Sequence, residues 1–504
     1  MMPFEAFEQS TTSVPTVAII GGGFSGAMVA MHLLRRARVP LSIYLIERQS
    51  QVGQGVAYSS PLDCHVMNVP VGSLRLMDDE DGTVGDRPDF LTWLREVAGL
   101  ASVTAEDFVP RYWFGRYVQA SLQAAIAQRH ANVQISVIQD EAMQISVGDR
   151  YATLHLQRGQ RLRVDRVVLA LGNSPPASLP IDNLAFHNSA SYIESGRSDA
   201  LDSVLSQPSL LLAGMGLTAV DWVVALHQRG YTGTIHALSR RGLLPQVHRI
   251  SSAAQAAQSS MRLVVPQEGE DTLLATLPTT VRELTQWIRQ RVAIAQSLGY
   301  DWRPVFDSLR PYTQSLWQHL PLKEKRRFLR HLRPYWDSHR HRVAPQVYEV
   351  VQSLRRSGQL QLHRGQLQTC ENSDAGVVVR FRPRGQTHSE TLTVGAVINC
   401  TGAQTNYREI HHPLIRSLMH QGLMRTDALR LGLDAAPNGA VRNRNGVPSS
   451  WLYTLGTACR GQLWETTAIA EIRTQAAALA TTLLLPQGGI VPSHGSMIRI
   501  THPA

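Results

Sequence analysis

The chain has 504 residues, enough for about two or three domains, and 43% apolar with 17% charged residues is the balance of a folded globular protein. Its four cysteines, Cys64, Cys370, Cys400 and Cys459, form no C-x-x-C, which argues against a disulfide framework, a zinc ribbon and a dithiol redox centre. The net charge of +10 comes mainly from arginine, no apolar run reaches the length of a membrane span, and Met1 to Ser13 lacks the basic end and apolar core of a signal peptide. A cytoplasmic protein with a short loose leader is expected.

The first informative stretch is Val17-Ala-Ile-Ile-Gly21-Gly-Gly23-Phe24-Ser25-Gly26, a β-branched apolar run followed at once by G-x-G-x-x-G. A helical pattern runs from Ala27 to Arg38, with Met28, Met31, Leu33 and Leu34 placed to pack one side, and a second apolar run, Leu41 to Ile46, ends at Glu47-Arg48. Strand, glycine turn, helix, strand and acid in this order predict a dinucleotide-binding unit. Gly21 permits the tight turn, Gly23 lets the backbone approach a pyrophosphate, and Gly26 lets helix and strand pack closely. The helix start at Phe24 and Ser25 turns N–H groups and a positive dipole toward phosphates, and Glu47 is placed to accept from ribose hydroxyls. Arg48 borders the same end. Gly53 and Gly55, in Gly53-Gln-Gly-Val-Ala-Tyr58, keep the chain thin beside the ligand, and Gly55 and Tyr58 are expected to border it.

Cys64-His-Val-Met-Asn68-Val69-Pro70 reads as extended, and Asp89 to Val97 and Phe114 to Arg129 as amphipathic helices. Strands follow from Val133: one to Ile138, a meander over 143–164, then Arg166 to Leu171, which stops at Gly172. Ser174-Pro-Pro176 marks an exit from the domain.

A second fingerprint begins at Ser209-Leu-Leu-Leu-Ala213, continues as Gly214-Met-Gly216-Leu217-Thr218-Ala219, and enters a helix to Arg229. Its next strand, Thr234 to Leu238, ends in Ser239-Arg240-Arg241 in place of an acid. Guanidinium groups suit the extra 2′-phosphate of NADP, so the second unit is expected to take NADPH. From Ile250 to Arg342 the pattern is helical and broken by prolines, with a basic end from Lys323 to Arg342. No recognised nucleic-acid motif accompanies this charge. It reads as a solvated helix face lending positive potential to a cofactor phosphate, with no nucleic-acid partner. Its histidines have no zinc-ligand spacing, so no metal is expected.

Strands resume at Leu360 and close with Val394 to Asn399, then Cys400-Thr-Gly402; this strand is expected to carry the chain back to the first domain. Both halves share one order of elements, which indicates an internal duplication with a helical insert in the second copy. The last ordered stretch is Trp451 to Leu455, a turn at Gly456, then Trp464-Glu465-Thr466 and a helix to about Leu485. A cap at Glu465 to Thr467 is expected, with the helix N-terminus facing a flavin ring. The fold class is therefore α/β with two Rossmann-like domains. Residues 14–200 plus 396–488 would bind FAD, residues 205–395 NAD(P)H, with a helical insertion at about 250–345 and loose termini at 1–13 and 489–504.

On these motifs the sequence resembles the bacterial FAD/NAD(P)-binding proteins of the NAD_binding_9 group. Gly55-Val-Ala-Tyr58-Ser59, Asn68-Val-Pro70, Gly214 to Asp221, Ser239 to Pro245, Arg333 to Arg342, Asn399 to Gly402 and Trp464-Glu465 carry the likeness along nearly the whole chain. More distantly it is similar to flavin-dependent N-hydroxylating and class B monooxygenases, which pair an FAD and an NADPH fingerprint in this order. The resemblance implies a glutathione-reductase-like architecture, with Asn68, Val69, Gly172, Gly402, Gly456, Trp464, Glu465 and Thr466 near FAD and His187 near nicotinamide. The chain departs from the wider flavoprotein pattern at Thr457, where an aspartate often stands.

The function expected is an NADPH-dependent FAD oxidoreductase in which hydride passes from nicotinamide to flavin, and reduced flavin meets O2 to hydroxylate a small substrate. A reductase without oxygen insertion and a flavin-holding partner protein are the alternatives. No catalytic acid or base, substrate or oligomeric state follows from the sequence.

Overall fold

The computed structural model describes residues 14–77, 89–148, 151–196, 200–249 and 278–485. The loose termini expected at 1–13 and 489–504, and the start of the insertion, 250–277, lie outside the described residues.

Three sheets organise the molecule. The first has the order β15-β16-β7-β1-β2-β3, built from β1 (Thr16–Ile20), β2 (Leu41–Glu47), β3 (Val133–Gln139), β7 (Arg166–Leu169), β15 (Ala440–Arg442) and β16 (Pro448–Thr454). β1 pairs in parallel with β2 (Ile19 opposite Leu45) and with β7 (Ile19 opposite Val168), so its apolar run is buried on both faces. Helix α1 (Phe24–Arg36) makes the crossover from β1 to β2. It buries Met28, Met31, Leu33 and Leu34 in one cluster with Ala476, Leu479 and Leu483 of the last helix, Ile469–Leu484. Truncating a side chain buried this completely, Leu33→Ala for example, costs about 2–5 kcal/mol.

The second sheet has the order β13-β12-β11-β10-β9-β14-β8. Its strands are β8 (Tyr192–Glu194), β9 (Ser209–Ala213), β10 (Thr234–Ser239), β11 (Leu360–Ser373), β12 (Gly376–Pro383), β13 (Glu390–Val394) and β14 (Ala396–Asn399). Helix α2 (Leu217–Gln228) connects β9 to β10 as α1 connects β1 to β2. The two meanders behave differently. In the first half, β4 (Ala142–Val147), β5 (Ala152–Leu156) and β6 (Arg161–Val164) form a separate antiparallel sheet. In the second half the 14-residue β11 pairs in parallel with β10 at its start and antiparallel with β12 further on, so the meander extends the main sheet.

Three expectations need correction. β14 pairs with β9 (Ile398 opposite Leu212) and with β8 (Ile398 opposite Ile193), so it belongs to the second sheet. The chain leaves that domain after Asn399, not at 396, and Tyr192–Glu194 belongs with it too; Val397 and Ile398 are buried in two different core clusters of this half, as a strand covered on both faces requires. The last helix starts at Ile469 with Ala468 as its N-cap and no side-chain cap, because Trp464 turns the chain at φ 58° and Thr466 is committed to Gly456. The helix expected from Phe114 begins at Arg111, directly after Pro110.

The insertion is helical over Val281–Ser297, Arg303–Leu309, Thr313–His319, Leu322–His331 and Arg333–Arg340. It bridges the two domains. Ser338 Oγ donates to Leu244 O of the second domain (2.7 Å), and Trp317 Nε1 donates to Gly461 O of the first (2.9 Å). Among the described residues no helix is long and apolar enough to cross a membrane.

Candidate functional site

The turn after β1 is built as the glycines require. Gly21 has φ 102°, and a Cβ there would run into the Ala170 carbonyl oxygen at the end of β7. A Cβ on Gly26 would strike Gly21 O, so helix and turn touch backbone to backbone. A Cβ on Gly23 would stand 3.2 Å from Gly55 Cα. α1 opens at Gly23 with no side-chain cap and no acid in its first turn, which leaves its N-terminal dipole free for an anion. Glu47 Oε2 accepts from Gly22 N (2.8 Å) and Oε1 from Gln49 N (2.9 Å). A carboxylate has about four lone-pair sites, so both oxygens retain one for ribose hydroxyls.

Gly21, Gly23, Phe24, Ser25, Glu47, Arg48, Gly55, Tyr58 and Gly172 together line a cleft of about 250 Å³. Tyr58 stands edge-on to Phe24 (5.8 Å) and Phe114 (5.0 Å), and burial pushes its phenol well above the usual tyrosine range, so it is a neutral wall. Thr457, at the position of an aspartate in related patterns, donates its hydroxyl to Gly172 O (2.6 Å) and closes the cleft beside the β7 exit. A second wall, not expected from the sequence, brings His412, Ile410 and Ile415 to the same cleft as Glu141. His412 Nδ1 accepts from Leu414 N (3.2 Å), which places the ring proton on Nε2, pointing at Glu141 Oε1 (3.0 Å). Arg48 lies 3.6 Å from the same oxygen. No motif links Glu141 to His412 across 271 residues, so only the fold could reveal the pair.

The second turn repeats the first. Gly214 has φ 129°, and its Cβ would run into Cys400 O after β14, the counterpart of Ala170 O after β7. A Cβ on Gly216 meets nothing within 4 Å, so the space above the turn is an open cradle. α2 opens at Gly216, again with no side-chain cap and no acid in its first turn, and Leu217 and Thr218 begin it. Gly402 follows β14 on the stretch that returns toward the first cleft, where Ala403 bridges to Pro176 and Gln404 N donates to Pro175 O (2.9 Å) on the cleft wall. Ser239 Oγ accepts from Gly242 N (3.0 Å) and shapes the turn that carries Arg240 and Arg241. Arg240 is exposed, and the Arg241 guanidinium lies 5.9 Å from the Tyr335 ring of the insertion. Both turns therefore fit a dinucleotide pyrophosphate, and the second presents cations where a 2′-phosphate would lie.

The two halves meet at a built seam. Arg111 Nη1 and Nη2 donate to the two Asp221 carboxylate oxygens, each at 2.9 Å, from the first domain to α2 of the second. His65 Nε2 lies 3.2 Å from Asp221 O, and His248 Nε2 donates to Asn68 O (2.7 Å). Burial is the main cause that lowers the His248 pKa to about 4, with Arg342 next; Asn68 O and Asp307 oppose it. Asn68 therefore has a structural role through its carbonyl.

Trp464, Glu465 and Thr466 do not face the first cleft. Trp464 stacks on Trp317 of the insertion (5.0 Å) under Arg460 (4.7 Å), and these contacts hold its left-handed φ of 58°. Glu465 Oε1 accepts from Trp336 Nε1 (3.0 Å), and Thr466 Oγ1 donates to Gly456 O (2.9 Å). His187 is tied to Leu184 O (3.0 Å) and packs against Tyr192, and it does not line the first cleft.

Residues 18–174 match the family model described as FAD-NAD(P)-binding. No curated protein matches the sequence. Among solved structures, the chain is similar to the ornithine N-hydroxylase of Kutzneria sp. 744, solved with reduced FAD, NADP+ and L-orn. The TM-score is 0.59 at 15% identity, over 93% of this chain and 98% of that one. It is similar to the ornithine hydroxylase of Pseudomonas aeruginosa in its reduced form (TM-score 0.58, 14% identity, 94% and 98% covered). A third similar structure is the FAD-bound cadaverine monooxygenase of Erwinia amylovora (TM-score 0.57, 11% identity, 97% and 99% covered). At these identities the likeness establishes the fold.

Proposed function

We propose that this protein is an NADPH-dependent FAD monooxygenase that hydroxylates a small substrate, with primary amines as the class to test first. The observation that carries the proposal is the pair of uncapped, glycine-opened helices, one on each sheet, locked in one arrangement by Arg111 and Asp221. The full-length likeness to hydroxylases named for ornithine and cadaverine supports the choice of amines.

In this reading the α1 N-terminus and Gly23 hold the FAD pyrophosphate, Glu47 holds its ribose, and Gly172 with Thr457 borders the flavin side of the cleft. Bound FAD supplies the redox chemistry, accepting hydride and, once reduced, reacting with O2. Gly216, Leu217 and Thr218 hold the NADPH pyrophosphate, and Arg240 and Arg241 its 2′-phosphate. The insertion, packed on the Gly456–Glu465 turn and on the second domain, keeps water from the seam. The overall balance is one amine, one O2, one NADPH and one proton giving one hydroxylamine, one water and NADP+.

The test is product analysis with stoichiometry. Purified FAD-loaded protein is given NADPH in air with ornithine, lysine and cadaverine in turn. One hydroxylamine per NADPH supports the proposal. NADPH oxidation that yields only hydrogen peroxide with every amine, alongside reduction of an added electron acceptor, replaces it with a reductase.

A further inference from the structure

A second cavity, larger than the first cleft, lies away from both glycine turns. A cavity of about 810 Å³ lies where the insertion meets the first domain, between helices Thr313–His319 and Leu322–His331 on one side and the last helix and the 427–439 loop on the other. This volume is in the range of small-molecule sites. Its apolar lining includes Leu322, Leu429, Leu463 and Leu479.

The charges on its wall are nearly all spent. Asp427 accepts from three backbone N–H groups, those of Leu429, Leu431 and Gly432, each at 2.7 Å. Asp434 is held by Arg425 (2.6 Å), Glu471 by Arg310 (3.1 Å) and Glu465 by Trp336 (3.0 Å). Lys325 is the exception. Among the described residues its ammonium forms no ion pair; Gln318 O lies at 3.4 Å and the Trp317 ring centre at 5.6 Å. Its neighbour Glu324 is turned away, accepting from Val281 N (2.9 Å) and Arg327 (2.8 Å). Partial burial lowers the Lys325 pKa, so an anion set beside it would relieve a desolvated charge. Gln462 Oε1, also on the wall, is buried and has no hydrogen-bond partner among the described residues.

We propose that this cavity is a ligand site, separate from both dinucleotide turns, for an amphipathic monoanion: a carboxylate at Lys325 with an acyl or aryl body on the leucine wall. The proposal does not rest on the monooxygenase reading, because it concerns binding and requires no turnover. Leucine surface supplies burial, and one unpaired cation selects the headgroup; a cationic ligand would meet Lys325 and only carboxylates whose oxygens are already engaged.

The test uses full-length, FAD-loaded protein without NADPH, titrated calorimetrically with sodium decanoate, decanol and decylamine. Decanoate should bind saturably at one equivalent, about tenfold or more tighter than decanol, and decylamine should not bind measurably. Lys325→Met should remove the preference for decanoate over decanol while leaving decanol binding unchanged. Ala478→Trp, at the exposed rim, should block both. Absent saturable decanoate binding, or decanoate affinity unchanged in Lys325→Met, would overturn the site. The flavin absorbance of each variant, recorded beforehand, separates loss of this site from loss of the first domain.

Discussion

The glycines divide into those that hold the backbone together and those that make room for a ligand, and the two kinds should fail differently. Gly214 and Gly216 are two residues apart. A methyl on Gly214 meets Cys400 O, whereas one on Gly216 meets nothing. Gly214→Ala should therefore misfold or destabilise the second domain. Gly216→Ala should keep its fold and full flavin content, yet raise the KM for NADPH about tenfold or more by filling the pyrophosphate cradle. Thermal melts and flavin content, set beside steady-state kinetics, check the contrast; equal NADPH use by Gly216→Ala and the parent would remove the coenzyme from that turn. At the adjacent strand end, a charge-assisted contact to phosphate contributes roughly 1.5–3 kcal/mol. The Arg240→Ala/Arg241→Ala variant should thus lose about ten- to a hundredfold in NADPH affinity and little in NADH affinity. The glycines were legible in the sequence because a turn dictates residue type locally. His412 and Glu141 were not, since their meeting depends on how a distant loop returns to the first sheet.

The seam between the domains works through side chains on elements that look unremarkable in sequence. Arg111 opens a helix and Asp221 sits inside α2; each side chain is mostly buried, with 18% and 25% exposed. Asp221→Ala leaves a guanidinium without its partner and should destabilise the protein by about 1.5–3 kcal/mol, read from denaturant unfolding. It should also slow hydride delivery by loosening α2. The histidines add a pH dependence. His248 is lowered from the usual 6.5 to about 4, with Phe108 packed against it and Arg342, Arg303 and Asp307 around it. Between those values the unfolded chain binds more protons than the folded one, so stability rises with pH and is lost as pH falls from about 6.5 toward about 4. His65 is lowered too, chiefly by burial, and acts in the same direction. The melting temperature should fall over that window, and less steeply in His248→Gln; parallel curves would place the dependence elsewhere. The insertion was visible as a proline-broken helical stretch. That its aromatic side would clamp Trp464 and Glu465 was not, because a tryptophan at a turn reads equally well as a cofactor contact.

On the scale of the whole molecule, the duplication accounts for the architecture. Each half ends a parallel strand beside the first glycine of its own turn, Ala170 against Gly21 and Cys400 against Gly214. The repeated order of strand, glycine, helix and strand made both sheets legible. The boundary at 396 was misread because a buried strand followed by glycine looks the same whether it completes one sheet or opens a return to another. The halves then diverged in what surrounds the turns. An acid ends β2 in the first and arginines follow β10 in the second, the difference expected if one turn holds FAD and the other NADPH. The most direct test of that division of labour is the flavin absorbance of the purified protein after NADPH, or an equal concentration of NADH, is mixed in under argon. The expected result is a bound-FAD spectrum that NADPH bleaches fast and NADH at least about tenfold more slowly, with the oxidised spectrum returning on admission of air. Protein that carries no flavin, or flavin that neither coenzyme bleaches, would contradict it.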